Sequence, residues 1–67
     1  MILRVNGEEK VFSEKVTNVL QLLEVLGIKA QRAAVEVNGE IADPGQFEQT
    51  GLQDRDRVEI VSFVGGG

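Results

Sequence analysis

The chain has 67 residues with neither Cys nor His, which excludes disulfides, thiolate metal sites and imidazole bases, and a domain this small has little room for an enclosed pocket. A net charge of −4, from 11 acidic against 7 basic residues, repels phosphate backbones and argues against a nucleic-acid partner. No apolar run reaches the roughly 18 residues of a membrane span and no signal-like segment opens the chain, so a soluble cytoplasmic protein, monomeric when free and not membrane-bound, is expected.

Ile2-Leu3-Arg4-Val5 is a β-prone run ended by Asn6-Gly7, a pair suited to the positive φ angles of a type I′ turn, with Val11-Phe12 beyond it. A β-hairpin is expected here. Across Thr17 to Leu26, Val19, Leu22, Leu23 and Leu26 fall at i, i+3, i+4 and i+7 and share one helix face. Thr17 or Asn18 is placed to cap that helix, and Asn18 followed by Gln21 has capping-box spacing. Gly27 stands where a left-handed residue ends a helix, and Ile28 can fold back on Leu23. Ala33-Ala34-Val35-Glu36-Val37 alternates with period two, and Asn38-Gly39 supplies a second hairpin turn into Glu40-Ile41.

Pro44-Gly45 breaks the pattern, and the stretch to Leu52 reads as a short helical turn under a loop, anchored by Phe47 and Leu52. Asp54-Arg55-Asp56 reads as a turn and Arg57 to Val64 as the last strand. Val-Asn-Gly-Glu occurs twice, at Val5 to Glu8 and at Val37 to Glu40, but the two copies lead into different elements. Shared turn chemistry explains the match better than duplication.

The order strand, strand, helix, strand, strand, irregular stretch, strand describes an α+β fold with one helix across a small sheet. Core candidates are Leu3, Val5, Leu22, Leu23, Leu26, Val35, Val37, Val58 and Ile60. Residues 1–64 are expected to form the folded body and 65–67 a flexible tail.

The last strand departs from ordinary patterning. If Val58 and Ile60 face the core, Glu59, Val61 and Phe63 share the opposite face, and Phe63-Val64 continue as bulky apolar residues up to the glycines. Such a face calls for a partner, which makes Val61, Phe63 and Val64 candidate binding residues. The alternative is that Phe63 folds over the sheet edge or is covered by the Ala30-to-Arg32 loop. Gly65-Gly66-Gly67 is the second departure: glycines can lie extended in a channel too narrow for other residues and deliver a carboxylate at the tip. Four extended residues from Val64 reach at most about 14 Å, enough to enter another protein's active site.

These features, the Val-Asn-Gly-Glu hairpins, a helix ending in Gly, the Asp-Arg-Asp turn and the ending Val-Glu-Ile-Val-Ser-Phe-Val-Gly-Gly-Gly, resemble the ThiS family of sulfur carriers over the full length of the chain. The resemblance implies the ubiquitin-like β-grasp fold, a mixed sheet around one helix. It also implies a role in thiamine biosynthesis. A ThiF-like adenylyltransferase using ATP and Mg²⁺ would convert the Gly67 carboxylate to an acyl-adenylate, and sulfur from a cysteine desulfurase would displace AMP. The resulting Gly67 thiocarboxylate would give its sulfur to a ThiG-like thiazole synthase. Gly65 and Gly66 carry over as the tail that enters the partner's channel. The carrier binds no cofactor or metal of its own and supplies no catalytic side chain. Ser62 is a departure, standing where the family ending has His.

Three other readings compete. A carrier for molybdopterin, cysteine or tRNA thiolation would share the tail chemistry. A non-covalent ubiquitin-like interaction module would use Val61 and Phe63 and leave the glycines incidental. A small carboxylate enzyme would pair Asp54 with Asp56, but their alternation with Arg55 and Arg57 fits a solvated charge cluster better.

Overall fold

In the computed structural model, which describes residues 1–63, both Asn-Gly pairs reverse the chain as expected. Asn6 and Gly7 have φ of 49° and 83°, and Asn38 and Gly39 of 52° and 85°. Both positions of a type I′ turn need positive φ, which Asn tolerates and Gly adopts without steric cost. The turns join β1 (Ile2–Val5) to β2 (Glu8–Val11) and β3 (Ala33–Val37) to β4 (Glu40–Ile41), each pair antiparallel. Their shared Val-Asn-Gly-Glu sequence is thus a shared turn.

Between the hairpins lies β5 (Arg57–Ser62), parallel to β1 and antiparallel to β3, giving the sheet order β2-β1-β5-β3-β4. The two outer strands resist pairing with further chains. The first, β2, is exposed throughout and carries Glu8, Glu9 and Lys10, and β4 is only two residues long.

The helix α1 spans Val19–Leu26, the stretch that the periodic pattern marks. Asn18 is the cap, its side-chain oxygen accepting from the Gln21 N–H at 2.8 Å. The reciprocal half of the capping box is displaced by one residue. The Gln21 side chain accepts from the Thr17 N–H at 2.7 Å and from the Thr17 hydroxyl at 2.9 Å. At the other end Ile28 N–H donates to Leu23 O and Gly27 N–H to Glu24 O, the paired bonds of a Schellman motif. Ile28 is partly buried against the core.

The core joins the inner side of the sheet to the helix and to the connections. Leu3, Leu22, Leu23, Val19, Val35 and Val58 are its fully buried large side chains. Two expected core residues, Leu26 and Val37, are only partly buried: each sits at the end of its element, where less of the molecule covers it. Conversely Phe12, Val16, Ala42, Phe47 and Leu52 are buried although they lie outside the regular elements. Phe47 follows a single 3₁₀ turn, Pro44–Gln46, whose start is capped by the Asp43 carboxylate accepting from the Gly45 N–H. The expected helical turn under a loop is therefore present, and it positions an aromatic ring that seals one end of the core.

Truncation of that ring tests the assignment. Phe47→Ala should lower the stability by about 3–5 kcal/mol, read as a fall in the urea midpoint at unchanged slope. An unchanged midpoint would show that the segment does not close the core.

Candidate functional site

The central strand β5 is held at two points by asparagine side chains. At its start, Asn38 Oδ1 accepts from the Arg57 N–H at 3.0 Å while Asn38 Nδ2 donates to Asp56 Oδ1 at 2.9 Å. Further along, Asn6 Oδ1 accepts from the Ile60 N–H at 2.7 Å and Asn6 Nδ2 donates to Ile60 O at 3.1 Å. Residue pairing with β1 ends at Val5 with Val58, so the Asn6 carboxamide continues the ladder where the β1 backbone has turned away. Each hairpin turn thereby grips β5 with the side chain that also forms the turn. Sequence reasoning read both asparagines as turn formers only. The repeated Val-Asn-Gly-Glu was the available signal, but its second use depends on a strand about 54 residues away in the case of Asn6.

The side chains of β5 divide as expected. Val58 and Ile60 are buried, whereas Glu59 and Val61 lie on the outer face. Val61 is 59% exposed and Phe63 56% exposed, which is unusual for large apolar groups. The strand itself is shorter than the expected Arg57 to Val64. It ends at Ser62, opposite Ala33, because the residues before Ala33 turn into a 3₁₀ helix, Ala30–Arg32, and no extended partner remains. Phe63 keeps one contact across this gap, its N–H donating to Arg32 O at 2.7 Å. The Ala30-to-Arg32 loop therefore holds the Phe63 main chain but leaves its side chain open. Val64, Gly65, Gly66 and Gly67 lie outside the described residues.

Among the described residues no group of three or more Asp or Glu is placed to hold a metal ion. Asp54 and Asp56 are occupied in building the turn before β5. Asp54 Oδ1 accepts from the Ile2 N–H at 2.6 Å, and Asp56 Oδ2 accepts from the Gln53 N–H at 2.8 Å. Asp54 also meets Arg55 at 3.8 Å, an exposed pair that contributes little. A broad open groove bounded by Val37, Ile41, Gln46 and Asp56 lies at the start of β5, away from the end that leads to the glycines.

Comparison with known proteins agrees with the fold and the glycine ending. Residues 3–67 match the model of the ThiS family. The chain is 33% identical to the sulfur carrier protein ThiS of Bacillus subtilis over 66 residues, covering 98% of this chain and all of that protein. It is 45% identical over its whole length to a segment of the thiazole synthase of Paramagnetospirillum magneticum, spanning only 20% of that longer protein. In structure it superimposes on the crystal structure of a thiamine biosynthesis protein (ThiS) from Geobacter metallireducens with a TM-score of 0.82, 38% identity and full coverage of both chains. That superposition extends the α+β reading to the ubiquitin-like β-grasp fold. With its family model matched almost end to end, the chain belongs to the ThiS family, whose members include the sulfur carriers of thiamine biosynthesis.

Proposed function

We propose that the chain carries sulfur for thiazole formation as a thiocarboxylate on Gly67. The observation that supports this most strongly is the family match extending through residue 67, and with it the glycine ending that follows the central strand. In this reading residues 1–64 are a recognition body and 65–67 a tail narrow enough to enter an enzyme's active site.

A free carboxylate is a poor electrophile. An adenylyltransferase therefore first transfers the AMP moiety of ATP to a Gly67 carboxylate oxygen, releasing pyrophosphate, with Mg²⁺ balancing the phosphate charge. A persulfide sulfur, supplied by a cysteine desulfurase, then attacks the acyl carbon and AMP leaves. A thiol cleaves the resulting acyl disulfide and frees the thiocarboxylate. In each step the enzyme supplies the acid–base groups and the carrier supplies the reacting terminus, which suits a chain without Cys or His. Use of ATP also fits a cytoplasmic location.

The onward partner in this reading is a thiazole synthase. Relatives named thiazole synthase contain a segment like this chain, and fusion of a carrier with its acceptor is an economical way to raise their effective concentration. Val61, Phe63 and Val64 are the residues proposed to contact partner enzymes, with Gly65 and Gly66 in the channel.

Incubation with the cognate adenylyltransferase, ATP and a sulfur source should change the intact mass by one oxygen-to-sulfur exchange, and removal of Gly67 should abolish it while the circular dichroism is retained. Absence of the exchange in a demonstrably active mixture overturns the carrier reading. Phe63→Ala should weaken adenylyltransferase binding by roughly tenfold, as expected for an exposed aromatic anchor, with no change in Tm. Equal affinity of the variant and wild type would remove Phe63 from the interface.

A further inference from the structure

Val5-Asn6-Gly7-Glu8 and Val37-Asn38-Gly39-Glu40 give the chain two asparagine–glycine pairs with identical neighbours. In such a pair the glycine amide nitrogen can attack the preceding carboxamide carbon, because no side chain shields it. The new C–N bond closes a cyclic succinimide and ammonia leaves; water then opens the ring to aspartate or isoaspartate. The sum is asparagine plus water giving a carboxylic acid plus ammonia, with no oxidant, cofactor or enzyme required. Identical neighbours give the two sites the same intrinsic reactivity. Both turns are exposed, and a Cβ at Gly7 or Gly39 would meet nothing within 4 Å, so the two glycines are equally open. A difference in rate between them must come from what holds the carboxamide.

To react, the carboxamide must release its partners and swing onto the glycine nitrogen. Asn6 gives both of its polar atoms to one residue within β5, accepting from the Ile60 N–H at 2.7 Å and donating to Ile60 O at 3.1 Å. Ile60 is only 7% exposed, and β1 has already turned away on that side. Release of Asn6 therefore leaves a donor and an acceptor unpaired on a buried residue, which is the costly way to break a hydrogen bond. Asn38 instead divides its bonds between the Arg57 N–H at 3.0 Å and Asp56 Oδ1 at 2.9 Å, both at the exposed start of β5. Water replaces these partners as they part.

The products also differ in consequence. The amino group lost from Asn38 is the donor to Asp56 Oδ1, so its replacement by a carboxylate oxygen sets two carboxylates face to face with no proton between them. Asp56 also accepts from the Gln53 N–H in the turn that leads into β5, and that turn is weakened with it. Isoaspartate adds a methylene to the main chain and disrupts the two-residue turn as well.

We infer that Asn38 is a site of autocatalytic deamidation, that Asn6 is protected from the same reaction by its hold on Ile60, and that conversion of Asn38 loosens the start of β5. This goes beyond the carrier reading and does not depend on it.

The full chain, incubated in mildly alkaline buffer with and without unfolding guanidinium chloride, tests the inference once peptide mass spectrometry has counted aspartate and isoaspartate at each site. Each native rate is divided by the rate of the same site in the unfolded chain, which cancels any intrinsic difference. By this measure Asn38 should react at least about tenfold faster than Asn6, because only the opened carboxamide reacts. Equal protection of the two sites, a faster Asn6, or an Asn38 that stays intact while the unfolded chain converts would each overturn the assignment. Asn38→Asp should lower the urea midpoint, and adding Asp56→Asn should restore most of the loss, since the new carboxamide again places a donor between the two oxygens. An unchanged midpoint in Asn38→Asp, or a loss that the second substitution does not relieve, overturns the loosening of β5.

Discussion

Everything else in this fold depends on the placement of β5 between two hairpins that are far apart in sequence. Neither hairpin is stable alone, and a helix of eight residues is too short to persist without packing. The last strand unites them by pairing with β1 on one side and β3 on the other, and it supplies Val58 and Ile60 to the common core. Its hold on β1 is short in backbone terms, two register positions, and the Asn6 carboxamide lengthens it by bonding both polar groups of Ile60. Asn38 does the same service at Arg57 and fixes the Asp56 turn as well. A residue type chosen for the turn thus also fastens the strand that the turn must receive.

This construction has a consequence for function. The strand most firmly tied into the body is the one that the glycines follow in sequence, so in the proposed function a partner that grips the body also fixes the point from which the tail starts. The inner face of β5 is committed to packing and its outer face is free, with Glu59 and Val61 exposed on either side of buried Ile60. Under the proposed carrier function, the small body serves as a handle for a reacting group at the C-terminus. The absence of His and Cys and the use of Asp54 and Asp56 in turn construction agree with that division of labour.

Local regularity made much of this legible from sequence. The helix and its Gly27 end, both type I′ turns and the alternation in β3 and β5 follow from periodicity and from the φ demands of particular residues. Phe12 and Val16 were not recognised as core because they lie in an irregular link, where no period marks the buried side. Phe47 and Leu52 were visible as anchors, but their burial depends on how the connection folds over the open end of the core. The premature end of β5 was set by the 3₁₀ turn at Ala30–Arg32, which lies on a different element, so no pattern within residues 57–64 could reveal it. Nor does any local signal encode the parallel pairing of β1 with β5. The exposed Val61 and Phe63 were legible from alternation alone, whereas the meaning of the glycines came from family resemblance.

The contrast between the two faces of the sheet explains how so small a domain tolerates what its outer surface carries. Ile41, Val61 and Phe63 each leave more than half of their surface exposed, and the opposed Glu36 and Glu59 oppose folding slightly. Those costs are borne by other interactions: closely packed Leu3, Val35 and Val58 in the core, and the asparagine bonds that hold β5 at Arg57 and Ile60. Because a β-strand sends alternate side chains to opposite faces, the two sets can vary independently on the same backbone. The inner positions of β5 are constrained by volume, while the outer ones are constrained only by what they meet.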